Sequence, residues 1–319
     1  MRRMPKFDIA GHRKIWFLIS LVLIIPGFIC MGMRGFNFGI DFTGGTIMDL
    51  RFEQPVTLSD VRASLAKYDL DGSTIQLAGA ESGIESSENV MIRTVDLEEN
   101  QRKEVMASLT QDVGPYTVLR EEKVGATIGG ELITNAVLAL VISWALIILY
   151  VAYRFEWRFG VSAVLALVHD IIIVLAVFSL TQRQIDSSFI AALLTIVGYS
   201  INATIVIFDR IRENLNEPGG RKNLRDSVNM AVSETLTRSI NTSLTTFITV
   251  LMLFLFGVSS IRDFTMPLMV GIVSGAWSSV MIAGPLWYDF VQLAEKRKEK
   301  AAAEQRAQQP KQKTKKKKS

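Results

Sequence analysis

Six apolar runs of about twenty residues punctuate the chain, at positions 15–33, 132–153, 159–180, 187–208, 239–260 and 264–288. A helix rises about 1.5 Å per residue, so each run is long enough to cross roughly 30 Å of hydrocarbon. Lipid offers the backbone no hydrogen-bond partners, so each run is predicted to be helical despite its Val and Ile content. Asp170 is the one formally charged residue inside any of them.

Between the first and second runs the pattern changes to short, punctuated segments. From Thr46 to Phe52 the chain alternates, with Met48, Leu50 and Phe52 on one face; a period of two predicts a strand, closed by Pro55. Thr57 or Ser59 can then cap a helix on which Val61 and Leu65 share a face, with Asp60 in its first turn. Short strands are expected at 73–78 and 89–94, a second amphipathic helix at 97–109 bringing Val105, Met106 and Leu109 together, and a last strand at 117–124. The order β-α-β-β-α-β is that of the ferredoxin-like split βαβ motif, with two helices on one face of a four-stranded sheet. The fold class predicted is a membrane all-α bundle of six transmembrane helices with an inserted α+β ferredoxin-like domain outside the cytoplasm.

After the fourth run, Pro218-Gly219-Gly220 breaks the chain, and Asn223 can cap an amphipathic helix carrying Leu224, Val228, Ala231 and Leu236, expected to lie at the membrane surface. The segment from Glu295 onward holds eleven Lys or Arg against three Glu and is too polar to build a core, so it reads as a disordered tail. The organisation expected is an N-terminal tail at 1–14, a first span at 15–33, an inserted domain at 34–131, a five-helix bundle at 132–290 and a basic tail at 291–319.

A 49% hydrophobic content and a mean hydropathy of +0.28 are too apolar for a soluble chain of this length. Basic residues orient the spans: Arg2, Arg3, Lys6, Arg13 and Lys14 precede the first, Arg154 and Arg158 join the second and third, and Arg210, Arg212, Arg221, Lys222 and Arg225 join the fourth and fifth. By the positive-inside rule both termini are cytoplasmic. The first run is long and lacks an A-x-A site at its end, so it is expected to be a retained anchor rather than a cleaved leader. Cys30 stands alone, which leaves no disulfide framework and no Cys-based metal site. The tail is +8, leaving −4 for the rest of the chain against the overall +4. That tail reads either as a solvated segment obeying the positive-inside rule or as a contact for anionic lipid or ribosomal RNA, and no specific nucleic-acid partner is expected.

The candidate chemistry lies inside the membrane. His169 and Asp170 sit at the centre of the third run, where an ionisable side chain costs at least about 2.5 kcal/mol. Adjacent helical residues point about 100° apart, so the two are expected to meet different partners. Ser200, Asn202 and Thr204 in the fourth span and Arg238, Asn241, Thr245 and Thr249 in the fifth are expected to form one polar stripe. Two readings stand: hydrogen bonds and close packing between helices, or the lining of a hydrated ion path. An intramembrane hydrolase would need a nucleophile at matching depth, and neither HExxH nor GxSxG occurs, so no enzymatic activity, cofactor or metal is expected. Gly44 and Gly45 suit a sharp turn between the first span and the inserted domain.

Asp41-Phe42-Thr43-Gly44-Gly45, directly after the first span, resembles the signature of the SecF family of protein-export membrane subunits. The resemblance extends through Arg154-Phe155-Glu156-Trp157-Arg158, His169-Asp170, Gly198-Tyr199-Ser200-Ile201-Asn202 and Asp209-Arg210-Ile211-Arg212-Glu213-Asn214, in the family's order along nearly the whole chain. It implies a bacterial plasma-membrane protein that works with a SecD-like subunit and the SecYEG channel on a translocating polypeptide, surrounded by membrane lipids and driven by the ion gradient. Many members read Asn-Asp in the fourth span, with the Asp taken to act in proton movement. This chain reads Asn202-Ala203-Thr204, while Arg238 matches the family's functional arginine. A proton or a sodium ion is open as the coupling ion. The one-plus-five arrangement of spans equally permits a half-transporter of the resistance-nodulation-division type that exports a small molecule or lipid.

Overall fold

The computed structural model describes residues 7–77, 86–220 and 223–308. In chain order the elements are α1 (Arg13–Arg34), β1 (Asn37–Phe38), α2 (Ile40–Thr43), β2 (Gly45–Thr57), α3 (Leu58–Ala66), β3 (Thr74–Leu77), β4 (Ser86–Thr94), α4 (Glu99–Asp112) and β5 (Tyr116–Val124). There follow α5 (Ala126–Arg154), α6 (Trp157–Thr181), β6 (Gln184–Ile185), α7 (Ser187–Asn216), α8 (Leu224–Phe256), α9 (Ser259–Ser278) and α10 (Gly284–Gln308), the last two joined through a π-helical turn at Ser279–Ala283. Among the described residues six helical spans are long and apolar enough to cross a membrane, α9 running into α10 to make the sixth. Five of them contain one of the apolar runs whole; the fifth run, expected to reach 260, leaves its helix at Phe256, four residues early, where Gly257 ends α8.

Two compact units result. One comprises Met1–Met33, Ser143–Leu180 and Ala192–Ser319; the other comprises Arg34–Ile142 and Thr181–Ala191. At one end of the first unit, aromatic side chains fill the space between helices: Phe159 stacks on Trp287 at 4.6 Å and lies 4.8 Å from Phe208. Ile9 and Ala10, ahead of α1, are buried in the same cluster. Asp8 holds them there by pairing with Arg225, and the Ala10 amide donates to the Asn229 carboxamide at 2.8 Å.

Two expectations fail in this unit. The amphipathic segment after Asn223 is no separate surface helix but the beginning of α8, which runs unbroken to Phe256. No Gly or Pro interrupts 224–256, so nothing ends the helix where amphipathic character gives way to apolar character. Asn223 precedes it without a side-chain cap. The second failure is the tail: α10 continues through Glu295 to Gln308. Residues 295–308 are all Ala, Glu, Gln, Lys or Arg, the strongest helix formers, and propensity continues a helix that packing began. The remaining tail lies outside the described residues.

The inserted domain has the predicted split βαβ order. Its sheet runs β3-β4-β2-β5, every neighbouring pair antiparallel. Val61 and Leu65 of α3 with Val105 and Leu109 of α4 cover the face that carries Met48, Leu50, Phe52, Val90 and Ile92. Thr57 is the cap chosen from the two candidates, accepting from the Asp60 amide at 3.3 Å. The third strand ends at Leu77, and Ala78, expected to close it, lies outside the described residues. The second helix begins at Glu99 rather than at Leu97, which instead joins the core.

Asp112, the last residue of α4, ties the two helices. It accepts from Lys67 at 2.7 Å, Ser108 at 2.8 Å and Ser64 at 3.0 Å. The Lys67 ammonium first, then the two hydroxyls, hold its carboxyl at about 2, below the ordinary 3.8. A folded-state value below the unfolded one stabilises the fold above the unfolded value, and that contribution is lost as pH falls from about 3.8 towards about 2. Asp112→Asn is therefore expected to speed hydrogen exchange of α3 and α4 amides in the intact chain at pH 7 and to change it little near pH 2. Equal acceleration at both pH values would refute the linkage.

Candidate functional site

Asp170 is fully buried where three helices converge. One carboxylate oxygen accepts from Ser274 of α9 at 2.6 Å and faces His169 Nδ1 at 3.1 Å; the other accepts from Ser200 of α7 at 2.7 Å and Ser278 of α9 at 2.8 Å. The expectation that His169 and Asp170 look away from each other fails. Rotation between neighbours on a helix is bridged by the reach of both side chains, and a shared hydrogen bond is available where lipid offers none. Ser274 and Ser278 were not singled out from the sequence. Their signal is the i, i+4 spacing beside Gly271-Ile272-Val273-Ser274-Gly275, a small-residue pattern that lets helices approach. A Cβ on Gly275 would sit 3.0 Å from Ser200 Oγ and 3.6 Å from Asp170, and one on Gly271 would overlap Ile196. Glycine at these two positions is what brings α9 within reach of Asp170.

The single polar stripe separates into two groups. Thr204, one turn beyond Ser200 on α7, is buried on the same side as Asp170's partners. Asn202, Arg238, Asn241, Thr245 and Thr249 are all exposed on the surface of α7 and α8. Thr245 and Thr249 bond back to the carbonyls of Asn241 and Thr245, four residues earlier, so their hydroxyls are met within the helix. Arg238 lines a cleft of about 430 Å³ with Tyr150, Arg154, Asp209 and Arg210. Its guanidinium has no ion pair among the described residues, whereas Arg210 is taken by Glu213 and Glu234, each at 2.6 Å, and Asp209 by Arg212 at 2.9 Å. Arg212 also donates to the Arg154 carbonyl at 3.2 Å and lies 4.8 Å over the Phe155 ring, so two of the sequence motifs meet at this end.

The Asp41–Gly45 segment has a specific role in the second unit. β1 pairs in parallel with β6, Asn37 opposite Gln184 and Phe38 opposite Ile185, and the Gly39 amide donates to the Ile185 carbonyl at 2.7 Å. In the next turn Asp41 accepts from the Ser187 amide at 2.7 Å and from the Ser187 hydroxyl. Ser187 opens α7, so Asp41 satisfies an orphan amide of its first turn and places negative charge at its positive end. Ile40 and Phe42 are buried on either side of that carboxylate. Gly44 at φ 73° and Gly45 at φ 139° then turn the chain into β2, as expected of glycine there. A Cβ on Gly45 would come 2.4 Å from the Thr94 carbonyl oxygen.

Six spans, a split βαβ domain inserted after the first, and a glycine-turned signature joining them define a class of polytopic membrane protein. Residues 105–293 match the family model described as protein export membrane protein SecD/SecF, C-terminal, and residues 31–56 match that of the SecD/SecF GG motif. The chain is 47% identical over 287 residues to the protein translocase subunit SecF of Acidaminococcus fermentans, covering 90% of this chain and 98% of that protein. To the SecF subunit of Haemophilus influenzae it is 38% identical, covering 89% of this chain and 86% of that one. Among solved structures, that of SecDF from Thermus thermophilus, a translocon-associated membrane protein, superposes with a TM-score of 0.79 at 36% identity, over 90% of this chain. The chain spans about two fifths of the length of that SecDF chain, 39%. It belongs to the SecD/SecF family of protein-export membrane proteins, and its similarity there is to the SecF subunits.

The glycine turn can be tested directly. Gly45→Ala combines a strained φ with a backbone clash and is expected to cost on the order of 2 kcal/mol, read as a lower melting temperature of the detergent-solubilised chain. Gly130→Ala, where a Cβ would meet open space, is the control. Indistinguishable melting of the two variants would make the segment a loose connector.

Proposed function

We propose that the chain is an accessory, non-enzymatic subunit of the Sec preprotein translocase, acting with a SecD-like subunit beside the SecYEG channel to promote translocation at the expense of the ion gradient. The observation that carries this reading is the exposed polar face of α7 and α8. Asn202, Asn241, Thr245 and Thr249 would otherwise stand against hydrocarbon, and the guanidinium of Arg238, at the end of the span beside them, has no counter-charge among the described residues. A second half-bundle covering that face removes the cost, and the two-fifths share of the SecDF chain that this protein matches leaves room for one. Ala203 offers no acid, so the partner supplies the carboxylate and Arg238 biases its charge state. A half-transporter exporting a small molecule lacks comparable support, because the relatives that cover most of this chain are named translocase subunits.

In this reading both termini and the Asn223 turn face the cytoplasm, the inserted domain lies outside it, and the membrane is the bacterial plasma membrane. With Cys30→Ala as background, a cysteine at Thr181 should react with an impermeant thiol reagent added outside sealed cells, and one at Asn223 should not; the reverse pattern inverts the topology.

The functional test uses vesicles that export a preprotein under an imposed pH or sodium gradient. Arg238→Met is expected to lower the gradient response by at least about tenfold while copurification with the SecD-like subunit persists, as a lost charge pair in a dry interface predicts. A chain that purifies gently without such a companion, and whose deletion leaves export undisturbed, would end the proposal.

A further inference from the structure

His169 is spent only in part by its bond to Asp170. Its ring is about nine-tenths buried, and Nε2 has no hydrogen-bond partner among the described residues. The imidazole lines a cavity of about 490 Å³ walled by Ile19 and Leu23 of α1, Phe247 of α8 and Val273 and Trp277 of α9. Those walls are apolar; the Trp277 indole is already committed to Ser20 at 3.3 Å. An orphan imidazole nitrogen at the edge of an otherwise apolar cavity costs free energy unless something visits it.

Asp170 shows what that visitor is. A carboxylate has about four acceptor sites. Ser200, Ser274 and Ser278 donate to three of them and His169 Nδ1 faces the fourth, so the carboxyl is met on both oxygens. Yet α1 presents Ile19, Ser20 and Leu23 to this pair, α7 presents Ser200, α8 presents Phe247, and α9 presents Ser274, Ser278 and Trp277, none of which carries charge. With neutral imidazole the pair bears one uncompensated negative charge in the membrane; with one proton more it is neutral. Nδ1 is engaged, so that proton joins at Nε2.

We propose that His169 and Asp170 form a proton-holding pair, loaded and unloaded at Nε2 by water that enters the cavity between α1, α6, α8 and α9. On loading, a hydronium proton bonds to Nε2 and leaves water behind; on unloading, the Nε2–H bond breaks and the proton returns to water, the Nδ1–Asp170 bond persisting throughout. The inference rests on the proposed use of an ion gradient and adds a site inside this chain, on the side of α9 rather than at the Arg238 face.

The chain has two histidines, so His12→Gln leaves His169 as the sole ring signal in ¹⁵N-histidine spectra of the full chain in lipid nanodiscs. On acidification the His169 ring signals are expected to pass from the pattern of one bare nitrogen to that of two protonated nitrogens. Asp170→Asn, which removes the carboxylate facing Nδ1, should abolish the doubly protonated pattern, and Ser278→Ala, the milder variant, should change it. Val273→Trp, which fills the cavity, should slow exchange of the Nε2 proton with water at least tenfold. A ring that keeps one neutral tautomer on acidification, a transition indifferent to both Asp170→Asn and Ser278→Ala, or exchange unaffected by Val273→Trp would overturn the proposal. The ring readout needs no export, so export undisturbed by deletion of the chain, with normal ring behaviour, would sink the proposed function alone, and a pH-silent ring would sink the pair alone.

Discussion

A carboxyl group held in the middle of a hydrocarbon slab must be surrounded by donors, and that requirement organises the helices of this protein. Three serine hydroxyls from α7 and α9 converge on Asp170, and Gly271 and Gly275 let α9 come close enough for its serines to reach. Lipid gives apolar helices no hydrophobic reason to prefer one another over acyl chains, so packing and interhelical hydrogen bonds decide who neighbours whom. Removing a single serine would leave part of a buried carboxylate unsatisfied, which is costlier than never having placed the group there. The contacts around Asp170 therefore specify the arrangement of α6, α7 and α9 as well as stabilising it.

The signature segment solves a related problem at the end of a span. α7 begins with amides that its own turns cannot satisfy, and Asp41 meets the Ser187 amide. Because Asp41 precedes the glycine turn into β2, the strand at the middle of the domain's core is four residues away from a helix terminus in the other part of the sequence. The first turn of α7 therefore lies one hydrogen bond and four residues from β2. Gly44 and Gly45 keep that distance short by turning where a side chain could not.

Local constraints made much of this legible. Six spans follow from run length because lipid forbids alternatives, and the split βαβ domain follows from period-two and amphipathic patterns whose cores fall at Met48, Leu50, Val61 and Leu109. What sequence could not deliver depends on distance. Ser187 lies 146 residues from Asp41, and Ser274 and Ser278 lie 104 and 108 from Asp170, in spans where serine is too common to stand out. The joined α8 and the extended α10 depart from expectation for another reason: with no helix breaker in 224–256 or 286–308, neither amphipathicity nor net charge ends a helix.

The polar residues of the spans fall into an enclosed group and an open one, and the contrast carries the last step. Asp170 finds all its donors within this chain, so its chemistry is complete here apart from the orphan Nε2 of His169. Arg238 finds no counter-charge among the described residues, and the cleft around it adds Arg154 and Arg210, the latter already neutralised by Glu213 and Glu234. An unpaired guanidinium on an exposed face at the end of the spans would be matched by a partner that brings a carboxylate, whereas a satisfied interior needs nothing outside. On the proposed function, Ala203 offers no acid and the open site's acid sits on the partner, so charge there would change only when both subunits are present, and assembly would become a condition of coupling.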